Sequence, residues 1–180
     1  MFAQKYINSL SSSDLRDDEF HHATLPLRAS AYADLTGNDA VVGSLLCRVK
    51  FGSATRRAFE DGARDMAGLL RAWQDAVFEK GRARGWMKAT TPWDAEAACK
   101  LYERVAQASM AYWLDNNCEL CRGAKVDKER RLCTCCGGTG KAQVTAGRFE
   151  TDIILDLVSE LEGIYQSHSG RASSMLRRAA

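Results

Sequence analysis

Seven cysteines occur in the 180-residue sequence, and five of them lie between Cys118 and Cys136. Four of the five form two Cys-x-x-Cys pairs, Cys118 with Cys121 and Cys133 with Cys136, and eleven residues separate the pairs. A Cys-x-x-Cys turn lets two thiolates reach the same ion, and two such turns complete a tetrahedral four-sulfur site. Three kinds of chemistry are compatible with this density of thiols: a disulfide framework, a redox centre or a metal site.

The pairing favours the metal site. An odd number of cysteines, a chain long enough to bury its own core, and a start, MFAQKYINSLSSS, without the features of a secretory signal argue against disulfides. A thioredoxin-type centre has a single pair at the start of a helix that follows a strand, and that context is not present. We therefore predict one structural Zn²⁺ held by Cys118, Cys121, Cys133 and Cys136. We also expect a cytoplasmic protein, since thiols stay reduced there.

The other cysteines are expected to have no part in the site. Cys135 could replace one of the last two ligands, but the repeat favours Cys133 and Cys136 and leaves Cys135 as a spare thiol. Cys47 and Cys99 lie in apolar or helical surroundings, so we expect both to be buried. Glycines follow both pairs and allow tight turns that point backbone amides at the thiolates. The histidines lie far from the cluster in sequence and are not predicted as ligands: His21, His22 and His168.

Catalysis is not expected from these residues. A catalytic zinc keeps an open coordination position and needs a nearby acid or base, whereas four thiolates fill the coordination shell. The sequence contains no His-Glu-x-x-His element, phosphate-binding loop or nucleophile elbow. We therefore expect a structural metal and no enzyme activity.

The segment around the cysteines is basic, although the whole chain has a net charge of only +2. From 118 to 148 the basic residues are Arg122, Lys125, Lys128, Arg130, Arg131, Lys141 and Arg148. Seven basic against three acidic residues give +4, and zinc with four thiolates reduces this to +2. A rigid segment of this kind can bind phosphates. The alternative interpretation is that these charges only keep a small module in solution.

Three stretches have the apolar spacing of amphipathic helices. The first covers 53–80, and Gly81 is expected to end it. The second begins at Thr91-Pro92-Trp93-Asp94, where a capping threonine precedes a proline, and runs to about Asp115. The third follows the cysteines, and Thr151 is expected to cap it. The elements that position the cysteines are therefore helices on both sides.

These elements predict a mainly α protein, a helical bundle with a small inserted four-cysteine zinc finger. The predicted divisions are an N-terminal segment packed on the helical domain at 1–52, an antiparallel helical pair at 53–117, the zinc finger at 118–148, and a C-terminal helix with a basic tail at 149–180. Val41–Leu46 is expected to form a short apolar helix or strand. No apolar run approaches the roughly 20 residues that span a bilayer, so no membrane partner is expected.

The motif CxxCxG…CxxCxGxG is shared with the cysteine-rich region of DnaJ chaperones, which have four such repeats and a separate J domain. Here there are two repeats and no His-Pro-Asp triplet. Across 93–165 the sequence more closely resembles phage late-gene antitermination proteins of the Q type, in which a helix ending in Tyr-Trp-Leu-Asp leads into a two-pair cysteine finger. Those residues are Tyr112–Asp115 here.

The resemblance implies a helical protein with an embedded zinc finger that binds double-stranded DNA at a late promoter and engages paused bacterial RNA polymerase. The residues that it places near DNA are Lys125, Lys128, Arg130, Arg131, Lys141 and Arg148. For a phage-encoded protein it implies the bacterial host cytoplasm. Two alternatives stay open: a zinc-braced adaptor that binds a host protein without DNA, and a zinc-dependent redox sensor in which Cys135 reacts.

Overall fold

The structure is a computed structural model that describes residues 40–51 and 56–178. The described chain forms four helices: α1, Ala40–Phe51; α2, Arg56–Arg84; α3, Pro92–Leu114; and α4, Arg148–Arg178. The only strand-like pairing in these ranges is two isolated antiparallel bridges between α3 and α4. The prediction of a mainly α protein is confirmed. Most of the predicted N-terminal segment 1–52 lies outside the described residues.

The described chain divides into two compact units. One contains α1, α2 as far as Lys80, and α4 from Glu162 onward. The other runs from Gly81 to Leu161 and contains α3, the cysteine segment and the first part of α4. The predicted helical pair at 53–117 is divided between the units, so its antiparallel packing stays a prediction.

In the first unit, α1 packs against the C-terminal part of α4. Cys47 is fully buried in a cluster with Ala172 and Tyr165, and its Sγ lies 3.6 Å from the hydroxyl of Ser169. A Cβ added at Gly43 would lie 3.0 Å from the Cβ of His168, so glycine allows the two helices to approach closely. The sequence left 41–46 as helix or strand, and the structure makes it helix.

In the second unit, α3 begins with a capping box. The hydroxyl of Thr91 accepts a hydrogen bond from the backbone amide of Asp94 at 3.2 Å, and the Asp94 carboxylate accepts one from the backbone amide of Thr91 at 2.9 Å. Pro92 occupies the first helical position, where its missing N–H costs nothing. Hydrogen bonds that the Asp94 carboxylate accepts from the side chain of Thr90, from Thr91 and from the backbone amide of Thr90 lower its pKa. The predicted helix start is confirmed.

One face of α3 is buried together with residues from α4. The buried apolar residues of the two segments are Ala98, Leu101, Tyr102, Val105, Ala106, Met110, Trp113, Ile153, Ile154, Leu157 and Leu161. Two ion pairs join exposed parts of the unit, from Arg104 to Glu150 at 2.7 Å and from Arg84 to Asp156 at 2.6 Å. Surface pairs of this kind contribute little stability, so the buried apolar side chains hold the unit together.

The end of α2 differs from the prediction. The helix continues through Gly81 to Arg84, and Gly85 then adopts a left-handed φ of 61°. The amide of Trp86 donates to the carbonyl of Gly81 and the amide of Gly85 donates to that of Arg82, which is a Schellman motif. The prediction that Gly81 ends the helix is wrong because Gly85 supplies the left-handed residue. Gly81 is buried instead against Tyr102, whose Cε1 would lie 2.7 Å from an added Cβ.

The start of α4 also differs. The helix begins at Arg148, and Thr151 already lies in its first turn. The Thr151 amide donates to the carbonyl of Gly147 at 2.9 Å, and its hydroxyl donates to the carbonyl of Ala146 at 3.3 Å. Thr151 is therefore not the capping residue, as the sequence suggested. None of the described helices has an apolar stretch long enough to cross a membrane.

Candidate metal centre

Four sulfurs converge between α3 and α4. The Sγ atoms of Cys118, Cys121, Cys133 and Cys136 all lie within 4.8 Å of one another, and all four residues are buried. The Sγ atoms of Cys118 and Cys133 are 3.9 Å apart, and those of Cys121 and Cys136 are 3.8 Å apart. All four cysteines are free thiols rather than disulfides. The structure thus brings together the four residues that the sequence singled out as ligands.

These distances suit a tetrahedral metal ion. Metal–sulfur bonds of about 2.3 Å around a tetrahedral centre place neighbouring sulfurs about 3.8 Å apart, which is close to both measured separations. Four thiolates also form the donor set that zinc takes in closed structural sites. The cluster can therefore hold one ion such as zinc.

Each cysteine pair lies in a tight turn, called here a knuckle. The two knuckles are related by an approximate twofold repeat, in which each residue of the first corresponds to the residue fifteen positions later in the second. The amide of Cys118 donates to the carbonyl of Gly140 at 2.9 Å, and the amide of Cys133 donates to the carbonyl of Lys125 at 3.0 Å. Cys118 corresponds to Cys133 and Lys125 corresponds to Gly140, so the two hydrogen bonds join equivalent pairs of residues. The first cysteine of each knuckle is therefore hydrogen-bonded to the last residue of the other knuckle.

The bridges and glycines follow the same repeat. Asn117 pairs with Lys141, and Leu132 pairs with Val126, which is the same bridge after the offset is applied. The side chain of Asn117 lies over Gly123 in the first knuckle, where its Oδ1 would be 2.8 Å from an added Cβ. The side chain of Leu132 lies over Gly138 in the second knuckle, with the corresponding distance at 2.9 Å. Glycine is favoured at both positions, because φ is positive there and an added Cβ would displace the side chain that lies over it.

Backbone amides point at the sulfurs, as expected from the glycines. The amide of Gly140 lies 3.2 Å from the Sγ of Cys136. Burial by itself raises the pKa of Cys136, but hydrogen bonds from Gly140, Gly138 and neighbouring thiols outweigh it and lower the pKa to about 6. A backbone hydrogen bond from Cys121 lowers the pKa of Cys118, while burial raises that of Cys121 to about 11. Backbone hydrogen bonds thus favour the thiolate forms of Cys118 and Cys136.

A short hairpin, closed by the bridge between Val126 and Leu132, connects the knuckles and carries part of the predicted basic surface. Its tip is organised by Asp127, whose Oδ1 accepts hydrogen bonds from the amides of Glu129 at 2.9 Å and Arg131 at 2.8 Å. The guanidinium of Arg131 pairs with the carboxylates of Asp127 and Glu129. Arg131 is thus occupied by the two acidic residues of the tip.

The six residues predicted to contact DNA are all exposed: Lys125, Lys128, Arg130, Arg131, Lys141 and Arg148. Within the described ranges, five of them make no ion pair, and Arg131 is the exception. Arg122 in the first knuckle is equally exposed and was not among the predicted contacts. Its membership of the basic stretch was the signal that could have identified it. Outside this segment, Arg84 at the C-terminal end of α2 is paired with Asp156.

The spare cysteines separate into different environments. Cys135 is exposed and lies outside the four-sulfur cluster. Interaction with Cys118 raises its pKa, so less of it is thiolate at neutral pH. Cys47 is buried as expected, but Cys99 is exposed, and the prediction that it is buried is wrong. Cys99 follows the buried Ala98 on α3, and the turn of the helix points it outward.

The finger is attached to α3 near its base. The hydroxyl of Tyr112 donates to the carbonyl of Ala142 at 3.0 Å, and the amide of Ala142 donates to the carbonyl of Asn116 at 2.8 Å. The Asp115 carboxylate accepts hydrogen bonds from the backbone and side chain of Asn117. Chain entry and chain exit are therefore fixed to each other and to the end of the helix.

The finger also exposes apolar side chains that sequence reasoning did not single out. Leu120 is 66% exposed and Leu132 is 70% exposed. Val126 pairs with Leu132 across the hairpin and is 38% exposed, so these two lie on the same face. The surface of the finger is thus both basic and locally apolar.

No family model matches the chain, and no curated protein or solved structure does so either.

Proposed function

We propose that the protein is a non-catalytic transcription factor of the phage antitermination kind. Its finger holds one structural Zn²⁺ and binds the backbone of duplex DNA, and the protein acts on bacterial RNA polymerase. The observation that carries the proposal is the group of unpaired, exposed cations on a finger whose four sulfurs have tetrahedral spacing. The motifs shared with antitermination proteins supply the link to polymerase.

Zinc would fix the shape of the DNA-binding surface. Apart from its backbone hydrogen bonds and two bridges, the segment between α3 and α4 has only the four cysteines as buried side chains to hold its turns. In small zinc modules the binding free energy of the metal is also the free energy of folding. The four thiolates therefore act structurally, and the cations on the two knuckles and the hairpin do the binding.

The available cations differ in how readily they can meet phosphate. Lys128 and Arg130 lie at the tip of the hairpin, and Lys141 and Arg148 follow the second knuckle. None of these has to leave an acidic partner within the described chain, so each can neutralise a phosphate and release a counterion. Arg131 would first have to break its ion pairs with Asp127 and Glu129, so we expect it to contribute less to DNA binding than the resemblance implies.

Salt-dependent binding of a short mixed-sequence duplex tests the DNA-binding part. Fluorescence anisotropy across a range of salt concentrations should show affinity that falls as salt rises. Lys128→Ala, Lys141→Ala and Arg148→Ala should each lower the slope of log K against log salt by about 0.9. Lys100→Ala is a matched control, because Lys100 is an exposed cation on α3, paired with Glu96 and remote in sequence from the finger. The absence of binding at low salt by zinc-loaded wild type would reject the proposal.

The polymerase part needs its own measurement. Purified bacterial RNA polymerase should be retained by the immobilised protein, and transcription through a terminator should increase when the protein is added. The triple variant Lys128→Ala/Lys141→Ala/Arg148→Ala should lose the transcriptional effect and keep the polymerase contact. If polymerase is not retained, the antitermination assignment fails even if DNA is bound.

The exposed apolar side chains favour a second candidate, the zinc-braced adaptor that binds a host protein. Leucines exposed to 66% and 70% on a small finger suit a protein interface better than a phosphate backbone. Leu120→Ser/Leu132→Ser should leave DNA binding intact under the first proposal. Loss of a co-purifying host protein in this variant, with no DNA binding by wild type, would select the adaptor.

A further inference from the structure

Three residues other than glycine adopt positive φ in the described chain, and all three are basic residues of the finger. They are Arg122 with φ 48°, Lys125 with φ 68° and Arg130 with φ 61°. The left-handed region is strained for residues with a Cβ, and such strain often occurs where function requires a particular side chain. The three angles therefore mark cations that occupy unfavourable backbone positions.

The twofold repeat shows which residue these positions suit. Arg122 corresponds to Gly137, with φ 59°, and Lys125 corresponds to Gly140, with φ 77°. The second knuckle thus has glycine at both positions, and the first knuckle has a cation at both. In both knuckles the residue three positions after the second cysteine donates its amide to the carbonyl of that cysteine, Ala124 to Cys121 at 2.9 Å and Thr139 to Cys136 at 3.2 Å. The second knuckle forms this turn without a cation at either position, so closing the turn does not account for the cations.

A third cation, Lys141, lies close to Lys125. The side chain of Lys125 lies against Gly140, since its Cγ would be 3.0 Å from a Cβ added there. Lys141 is the next residue and is exposed. Arg122 is exposed three residues before Lys125, and the carbonyl of Cys118 accepts a hydrogen bond from its amide at 2.6 Å. The hydrogen bonds of the first knuckle and the bridge between Asn117 and Lys141 thus fix the backbone from which the three cationic side chains begin.

We propose that Arg122 and Lys125 of the first knuckle, with Lys141 beside them, form a binding site for backbone phosphates of duplex DNA. The inference rests on the proposed function and adds Arg122 and the position of the site to it. The ligand is a phosphodiester oxygen, which carries charge and no base identity, so the site positions the finger on DNA and does not read sequence. Arg122 and Lys125 adopt strained left-handed backbone angles, and this strain is what placing cations at these positions requires.

The test uses glycine, which the turn prefers. Arg122→Gly and Lys125→Gly each remove a cation and relieve strain, so the zinc-loaded full chain should unfold at a temperature no lower than wild type and up to about 4 °C higher. Each should weaken binding of a mixed-sequence duplex and lower the salt slope by about 0.9. Arg122→Lys, which keeps the charge, should bind with the wild-type slope, and Lys100→Ala should change nothing.

The outcomes separate this inference from the function on which it rests. Failure of wild type to bind any duplex removes the proposed function itself. Wild-type binding with unchanged affinity in both glycine variants keeps the function and overturns the site. Weaker binding accompanied by zinc loss or a lower unfolding temperature also overturns it, because a structural role would then explain both residues.

Discussion

The hydroxyl of Tyr112 donates a hydrogen bond to the backbone carbonyl of Ala142, which follows it by 30 residues and lies 3.0 Å away. Tyr112 is in the last turn of α3, and Ala142 is where the chain leaves the second knuckle. The bond therefore closes the base of the finger, independently of the sulfurs that close its centre.

Removing this hydroxyl tests the attachment of the finger. Tyr112→Phe keeps the ring and should lower the free energy of unfolding by about 1 kcal/mol, the usual contribution of one such hydrogen bond. Thermal or denaturant unfolding of the zinc-loaded chain measures it. The zinc content should stay at wild-type level, because the hydroxyl does not touch the sulfurs. An unchanged unfolding midpoint would show that the bond contributes nothing in solution.

Metal content should distinguish ligands from the spare thiol. Elemental analysis of wild type should give one zinc per chain, and Cys118→Ser should lose it together with the fold of the finger. Cys135→Ser is the matched control, since Cys135 is adjacent to a ligand but exposed and outside the cluster. Zinc that is retained in Cys118→Ser and lost in Cys135→Ser would show that Cys135 is a ligand and that Cys118 is not. A wild-type chain that is metal-free and fully folded would contradict the site as a whole.

Zinc binding should depend on pH in a direction set by the thiol pKa values. The pKa of Cys136 is lowered to about 6, so it is mostly thiolate at pH 7 and becomes protonated as the pH falls through that value. The pKa of Cys121 is raised to about 11, so at pH 7 this thiol must release its proton when metal binds. Apparent zinc affinity should therefore fall as the pH is lowered, and binding at pH 7 should release protons. Calorimetry in buffers of different ionisation enthalpy measures the release; no net release would contradict the prediction.

Gly81 should respond to substitution in the opposite sense to an ordinary helical glycine. Gly81→Ala would place a Cβ 2.7 Å from Cε1 of the buried Tyr102, so it should destabilise the fold by about 1–3 kcal/mol. Gly163→Ala on α4 is the control, because nothing lies within 4 Å of its added Cβ. That substitution should stabilise by about 0.4–1 kcal/mol. Chemical denaturation of both variants tests this, and stabilisation by both would show that α3 is not packed against Gly81.

Local spacing made parts of this protein predictable. The four cysteines on the two knuckles could be named from the sequence because the Cys-x-x-Cys turn is a short-range arrangement. The start of α3 was equally readable, since Thr91 and Asp94 satisfy each other's backbone amides within one turn. The predictions for Gly81 and Cys99 were wrong: Gly85 rather than Gly81 supplies the left-handed residue that ends α2, and the turn of α3 points Cys99 outward.

The sequence by itself determined the mainly helical class, the convergence of four sulfurs and the concentration of positive charge around them, because each depends on residue type and on separations of a few positions. Only the tertiary structure decided that Arg84 is paired, since its partner Asp156 lies 72 residues further along the chain. It also revealed the twofold relation of the knuckles, which places Arg122 and Lys125 where their counterparts are glycines. Backbone angles arise from the closed turn and the hydrogen bonds between the knuckles, and residue spacing alone does not specify them.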